Sequence, residues 1–394
     1  MADLYWDPLD PALRVDPYPL WKRLRDEAPV YHNDRFDFWV LSRFADIEAA
    51  HKDPATYSSA YGITLEMMTD EPMQNGMMIT IDPPGHTLLR TLVSRAFTNR
   101  RVSSLEEYIR DFCAARLDRY SRGDTFDYVQ ELGAELPPNV ISTMLGIPEA
   151  DRDELRHTVD GMFHVEPDVG TINETSIKSG AAVHEYLRGQ LAERRARPRD
   201  DMLTALVEAE IDDGGQPRRL TESETVGFGL MLFVAGTETV ARLIGWVGSV
   251  LDEHPDQRAE LAADPTLIPN AIEELLRYEA PSPVNGRRIT TDVTLHEVTI
   301  PRMAKVILLT GSAGRDERAY PGADRFDIHR KFDLHLAFGY GIHFCLGAAL
   351  ARMEGRIALA ETLKRFPTWT VDRDGAQLLY TSTVRGWQNL PVAV

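Results

Sequence analysis

An uncharged run from Thr225 to Thr237, closed by Glu238 and Arg242, is the stretch that most restricts how this chain can fold. It is apolar on nearly every helical face, so it has to be enclosed by other elements. Thr221 with Glu224 forms a capping box that starts a helix, and Pro255 after His254 ends it. A helix that long reaches roughly 50 Å at the standard rise, enough to traverse the molecule. The uncharged part is too short to cross a bilayer, which predicts a core helix and no membrane anchor. Its middle, Ala235-Gly236-Thr237-Glu238-Thr239, puts an acid and a hydroxyl into that apolar surround.

Helical spacing dominates residues 83–280, as in Leu88, Leu92, Val93 and Phe97, and returns from Leu346 to Arg365 before Pro367. Breaks fall at Gly123-Asp124, Pro137-Pro138, Glu166–Gly170 and Asp212–Pro217. Short strands are predicted at Pro29–His32, Phe38–Leu41, Val293–Ile300 and Lys305–Thr310, with a helix over Ala45–His51. The expected fold is mainly α with a small β part. It is one domain over residues 1–394, β-rich mainly in 1–60 and 281–310 and helical in 83–280 and 346–366. The 61 Asp and Glu against 43 Lys and Arg leave −18, which argues against nucleic acid as a partner. The two cysteines, Cys113 and Cys345, cannot make a disulfide framework or a thiolate-only zinc site. With no leader-like pattern at Met1–Asp10, a reduced, cytoplasmic address is expected.

The sharpest local signal is Phe338-Gly339-Tyr340-Gly341-Ile342-His343-Phe344-Cys345-Leu346-Gly347. Two glycines permit a tight turn. Cys345 then opens a helix, where the dipole and free N–H groups favour a thiolate. Three uses fit such a sulfur: a buried structural thiol, a nucleophile beside His343, or a single axial metal ligand. Cys113 reads as the interior of a helix.

This loop resembles the haem-binding segment of the cytochrome P450 monooxygenases, with Phe338, Gly339, His343, Cys345 and Gly347 filling its pattern. The resemblance extends along the chain and resembles the soluble bacterial branch. It implies the cytochrome P450 fold, with haem b between the long central helix and the Cys-loop helix and Cys345 as axial thiolate. It makes Glu274 and Arg277 an E-x-x-R pair joined by Arg325 in a structural network. It assigns His86, Arg90, His343 and Arg287, with Arg288 as the alternative to Arg287, to the haem carboxylates. It makes Ala235-Gly236 the close approach to the haem and oxygen site, with Thr239 bonding back to Ala235 and loosening the helix. Glu238 is then the proton source through water, and Thr239 stabilises the activated oxygen.

By the same resemblance the reaction inserts one atom of O2 into a hydrophobic small molecule of the steroid, terpenoid, fatty acid, macrolide or aromatic class. A ferredoxin-type donor with a separate reductase brings the electrons, because the chain has no dinucleotide or cluster motif. Arg90, Arg95, Arg100 and Arg101, in an acid-free segment, would dock that donor together with Arg352. Substrate contacts fall within Tyr61–Met78, Met162–Ser176, Phe228–Val234, Ser282–Asn285 and Thr381–Val384. The pocket candidates are Met67, Met68, Met77, Met78, Phe228, Met231, Leu232, Val284, Asn285 and Val384. The rival classes are a haem sensor or carrier without catalysis and a thiol enzyme without haem.

Overall fold

The computed structural model describes the chain except residues 1–3, 8, 9, 11, 75, 165, 167–169, 171, 214, 382 and 383. The side chain of Arg95 and parts of Met162–Ser176 and Thr381–Val384 also lie outside the described residues. The central helix runs over Glu222–Glu253. Thr221 Oγ1 accepts the Glu224 N–H at 3.2 Å, and Glu224 Oε2 accepts the Thr221 N–H at 2.8 Å. Arg218 grips the same carboxylate at 2.9 Å, so the cap is also neutralised. By length and mean hydropathy, 1.4 over its most apolar window, this helix is long enough to cross a membrane, contrary to the count of its uncharged part alone. Its surroundings decide otherwise, because most of it is buried in the main apolar cluster.

The helices Leu136–Leu145, Glu174–Ala196, Ile268–Tyr278 and Ala348–Arg365 pack on it. Pro137 and Pro138 stand in the first turn of Leu136–Leu145, where a missing N–H costs nothing; the break precedes them as a π-helical turn over Val129–Gly133. A five-stranded sheet orders Val30–Asn33, Phe38–Leu41, Lys305–Leu308, Asn285–Ile289 and Tyr57–Ser58, with one parallel pair between Phe38–Leu41 and Lys305–Leu308. It carries a second apolar cluster around Trp21, Phe38 and Ile307.

The β content reaches beyond the predicted segments. Thr125–Asp127, Thr370–Val371 and Pro391–Ala393 form one sheet, and Gln377–Tyr380 pairs with Arg385–Asn389. The expected break at Asp212–Pro217 is a hairpin of Glu210–Asp213 and Gln216–Arg219. The expected single strand Val293–Ile300 is also a hairpin, turning at His296 and Glu297, both with positive φ. Such short edges lack the length over which alternation becomes visible.

A buried charge network ties the helix Ile268–Tyr278 to the segment before the cysteine loop. Arg277 donates to both oxygens of Glu274 at 2.7 and 2.8 Å, and to the Ala323 carbonyl at 2.8 Å. The third member is Arg330, whose Nε reaches Glu274 Oε1 at 3.1 Å. Arg325 does not fill that place: its side chain is 76% exposed and meets only Asp327, while its carbonyl accepts from Arg277 and Arg330. Removing one partner strands the others inside the protein. Glu274→Ala is therefore expected to cost about 3–5 kcal/mol in urea unfolding, whereas Arg325→Ala stays within about 0.5 kcal/mol. The opposite ranking would return Arg325 to the network.

Candidate functional site

The cysteine loop is shaped before it is functional. Gly339 and Gly341 both adopt positive φ, +65° and +68°. A Cβ on Gly341 would also sit 2.2 Å from the His51 carbonyl oxygen, so this position excludes any other residue on two grounds. The loop closes through Cys345 N–H to the Phe338 carbonyl at 2.9 Å and Phe344 N–H to the Gly341 carbonyl at 3.1 Å. Glu273 clamps it from outside, accepting from Arg352 at 2.6 and 2.9 Å and meeting His335 at 3.0 Å. Burial raises the Glu273 pKa, but these two partners win and hold it at about 2. Arg352 is thereby spent on structure; its guanidinium also covers the Phe338 ring at 4.6 Å.

Cys345 stands just before the helix Ala348–Arg365 and opens onto a cavity. The cavity wall includes Phe338, Gly339, His343, Gly347, Arg90, Arg287, Ala235, Gly236 and Thr239. Met78, Met231, Leu232, Val284 and Asn285 line it as predicted. Met67, Met68, Met77, Phe228 and Val384 do not. Met68 packs over Gly286 in the sheet region, Phe228 and Met77 belong to the main core, and buried Val384 holds a turn with Thr381. Sequence position brought them near the pocket; their side chains were taken up by packing.

Burial dominates the Cys345 thiol and pushes its pKa up, while the Gly347 N–H and the Arg90 and Arg352 charges pull it down. The thiolate expected from the helix start is therefore not supplied by the protein alone. Cys113, the other cysteine, is sealed in the core with its thiol pushed to about 12.

One end of the cavity gathers donors that lack acceptors. Both ring nitrogens of His51 and His86 and Nε2 of His343 are buried without a hydrogen-bond partner among the described residues. The His86 ring lies 4.3 Å from that of His343 at a tilt of 57° and is not itself on the cavity wall. Burial, with Arg287 adding to it, lowers the pKa of His51 to about 3; burial first lowers His343 to about 2. Arg287 donates only to its neighbour's carbonyl, Gly286 O at 2.7 Å, among the described residues, and burial lowers it to about 10. Arg288, on the opposite face of the strand, binds Asp70 at 2.5 Å. The pleat thus assigns the inward arginine as Arg287.

These features fit a haem. Unsatisfied donors suit carboxylates, and a lone sulfur suits one axial position. Among the described residues no three His, Cys, Asp or Glu converge on a metal site, so an iron held by Cys345 has to bring its remaining ligands with it.

Across the cavity Thr239 Oγ1 donates to the Ala235 carbonyl at 2.8 Å, as its position predicts. The helix nevertheless stays continuous there, without the expected loosening. Gly236 makes room for Ile141, whose Cδ1 would lie 2.8 Å from a Cβ. Glu238 is not on the cavity wall: it accepts from Arg242 Nη2 at 2.8 Å in a buried pair. Beyond it lies Asp160, raised to about 6 by burial, against the Arg156 charge and with the charge of Glu238 adding to the rise. Sequence reasoning missed His51, Glu354, Arg242 and Arg330, each of which looks like an ordinary helix or loop charge until packing encloses it.

The family model described as Cytochrome P450 matches residues 35–384. Cytochrome P450 107B1 of Saccharopolyspora erythraea is 37% identical, covering 97% of this chain and 96% of its own. Erythromycin C-12 hydroxylase of the same organism is 38% identical over 94% of this chain and 92% of its own. A mutant of P450 EryK in complex with erythromycin B superposes with a TM-score of 0.87 at 36% identity, covering 96% of each chain.

Glu354, buried on the cavity wall with Oε2 unpartnered, has its pKa raised to about 8 by desolvation. Its folded value lies above the unfolded one, so its share of stability is complete below about pH 4.5 and is lost as pH rises through about 8. In Glu354→Gln the gain over wild type is expected to be absent near pH 5 and to grow towards pH 8. Urea midpoints at the two pH values measure it, and a pH-independent difference rejects the assignment.

Proposed function

The chain belongs to the cytochrome P450 family, monooxygenases that hold haem b on a cysteine thiolate, and on that footing we propose that Cys345 is the thiolate and that a hydrophobic small molecule is hydroxylated above it. The observation that carries this is one cavity onto which Cys345, Thr239, Arg90 and Arg287 all open. When bound, the haem supplies the oxygen chemistry, activating dioxygen with the thiolate's electron donation favouring O–O cleavage.

The chain's own groups do the rest. Arg90, Arg287 and His343, which line the cavity, and His86 beside His343 hold the carboxylates, and the unpartnered histidine nitrogens gain an acceptor. The Gly347 N–H and the Arg90 and Arg352 charges support negative charge on Cys345 Sγ. Thr239 Oγ1 donates its hydrogen bond to the Ala235 carbonyl, which leaves the Oγ1 lone pairs as acceptors for water on the cavity side. Glu238 Oε2 carries protons inward once it exchanges Arg242 for water. Met231, Leu232, Met78 and Val284 keep water from the substrate, and Asn285 offers it one polar contact.

Electrons come from a separate ferredoxin-type protein. Support for its docking is narrower than the arginine count in the sequence, because Arg90 lines the cavity and Arg352 is paired with Glu273. Arg100 is exposed and Arg101 half-buried on the helix Asn99–Ser103, which packs against Ala348–Arg365. Work in the cytoplasm, where such donors are kept reduced, completes the proposal.

Cys345→Ser is expected to abolish the thiolate-type spectrum of the reduced carbon monoxide complex; an unchanged spectrum refutes the assignment. Thr239→Ala is expected to keep the haem while electrons drain into hydrogen peroxide at the expense of product. Unaltered coupling between reductant use and product would remove Thr239 from proton handling.

A further inference from the structure

We propose that His51 is a further anchor of the cofactor, a buried imidazole that donates to a haem carboxylate; this rests on the haem-thiolate reading above. His51 occupies the last turn of the helix Phe44–Lys52 and lines the same cavity as Cys345, Arg287 and His343. It is 5% exposed, and neither ring nitrogen has a hydrogen-bond partner. A buried imidazole always carries one donor and one acceptor, so packing alone favours an apolar residue there. Its presence calls for a polar group that the chain does not provide.

The nearby charges say which kind of group. Arg287 faces His51 closely enough to disfavour its protonation, and His51 in turn disfavours that of His343. The carboxylate acting on this cluster is Asp82, felt by Arg287 and His86, and its own oxygens are engaged by Ser58 Oγ and by the Ser59 N–H at 3.0 Å. Arg287 and Arg90 therefore face one carboxylate that is already engaged, and positive charge exceeds negative at this end of the cavity. A ligand that brings two carboxylates restores the balance, and a neutral His51 N–H completes one of them without adding charge.

The position of the ring is also secured. The His51 carbonyl is packed where a Gly341 side chain would start, and its Cε1 lies 3.8 Å from the place of a Cβ on Gly339. The next residue, Lys52, reaches over the Tyr340 ring at 5.1 Å. The helix end is thus seated on the cysteine loop, so carboxylate anchoring by His51 and iron anchoring by Cys345 are parts of one rigid contact. His51 is a binding and positioning residue; it takes no part in oxygen chemistry.

The test is haem transfer from the purified holoprotein to excess apomyoglobin, followed by absorbance. His51→Leu fills the same space without a donor and is expected to lose haem roughly tenfold faster, the loss of one charge-assisted hydrogen bond. His51→Gln restores an N–H and is expected to bring the rate back towards wild type. A His51→Leu rate equal to wild type overturns the proposal, as does equal acceleration in both variants, which would mark a packing role. The thiolate reading is judged separately by the reduced carbon monoxide spectrum of the wild type and Cys345→Ser. If that spectrum lacks the thiolate signature while the His51→Leu effect persists, the thiolate reading falls and the carboxylate contact stands.

Discussion

Holding one sulfur atom open to a cavity inside a close-packed protein is the requirement that the surrounding structure serves. A thiol in such a place is driven towards its neutral form by desolvation, and one N–H and two arginines offset that only in part. The loop that carries it has two left-handed glycines and would not keep its shape unsupported. Its support comes from three directions: Glu273 through Arg352 and His335, Glu274 through Arg277 and Arg330, and the end of the helix Phe44–Lys52. The buried ion pairs are expensive by themselves, which argues that what they specify is a position.

The same economy of charge runs through the cavity. In a chain with a formal net charge of −18, the cofactor end has Arg90, Arg287 and three histidines with little acid to answer them. Burial keeps the imidazoles neutral, so they serve as donors without accumulating positive charge. On the opposite wall the polarity is kept apart: Thr239 opens to the cavity, while Glu238 is locked to Arg242 behind it. That separation keeps the reaction space dry until a proton is needed.

How much of this was readable depended on whether a residue acts through its neighbours in sequence or through distant ones. The capping box of Thr221 and Glu224, the back-bond from Thr239 to Ala235 and the turn at Gly339 are local, and their spacing predicted them. Arg325 was the expected member of the network, yet it is Arg330, five residues on, that turns inward to Glu274, a choice made by packing. The methionines of Tyr61–Met78 diverged for the same reason, Met78 facing the cavity and Met68 covering Gly286. His51 gave no signal, because one histidine in a short amphipathic helix has many ordinary explanations.

The sequence by itself determined the family, the central helix, and the cysteine, arginines and histidine that the cavity brings together. These are set by residue chemistry at fixed spacing, which folding preserves. Only the tertiary structure decided which arginine of Arg287 and Arg288 faces the cavity, that Glu238 is paired with Arg242 off the cavity wall, and that His51 lines the same cavity as Cys345. Each of those depends on what is brought against a side chain from far along the chain, and burial and partner are properties of the assembled fold that no local spacing encodes.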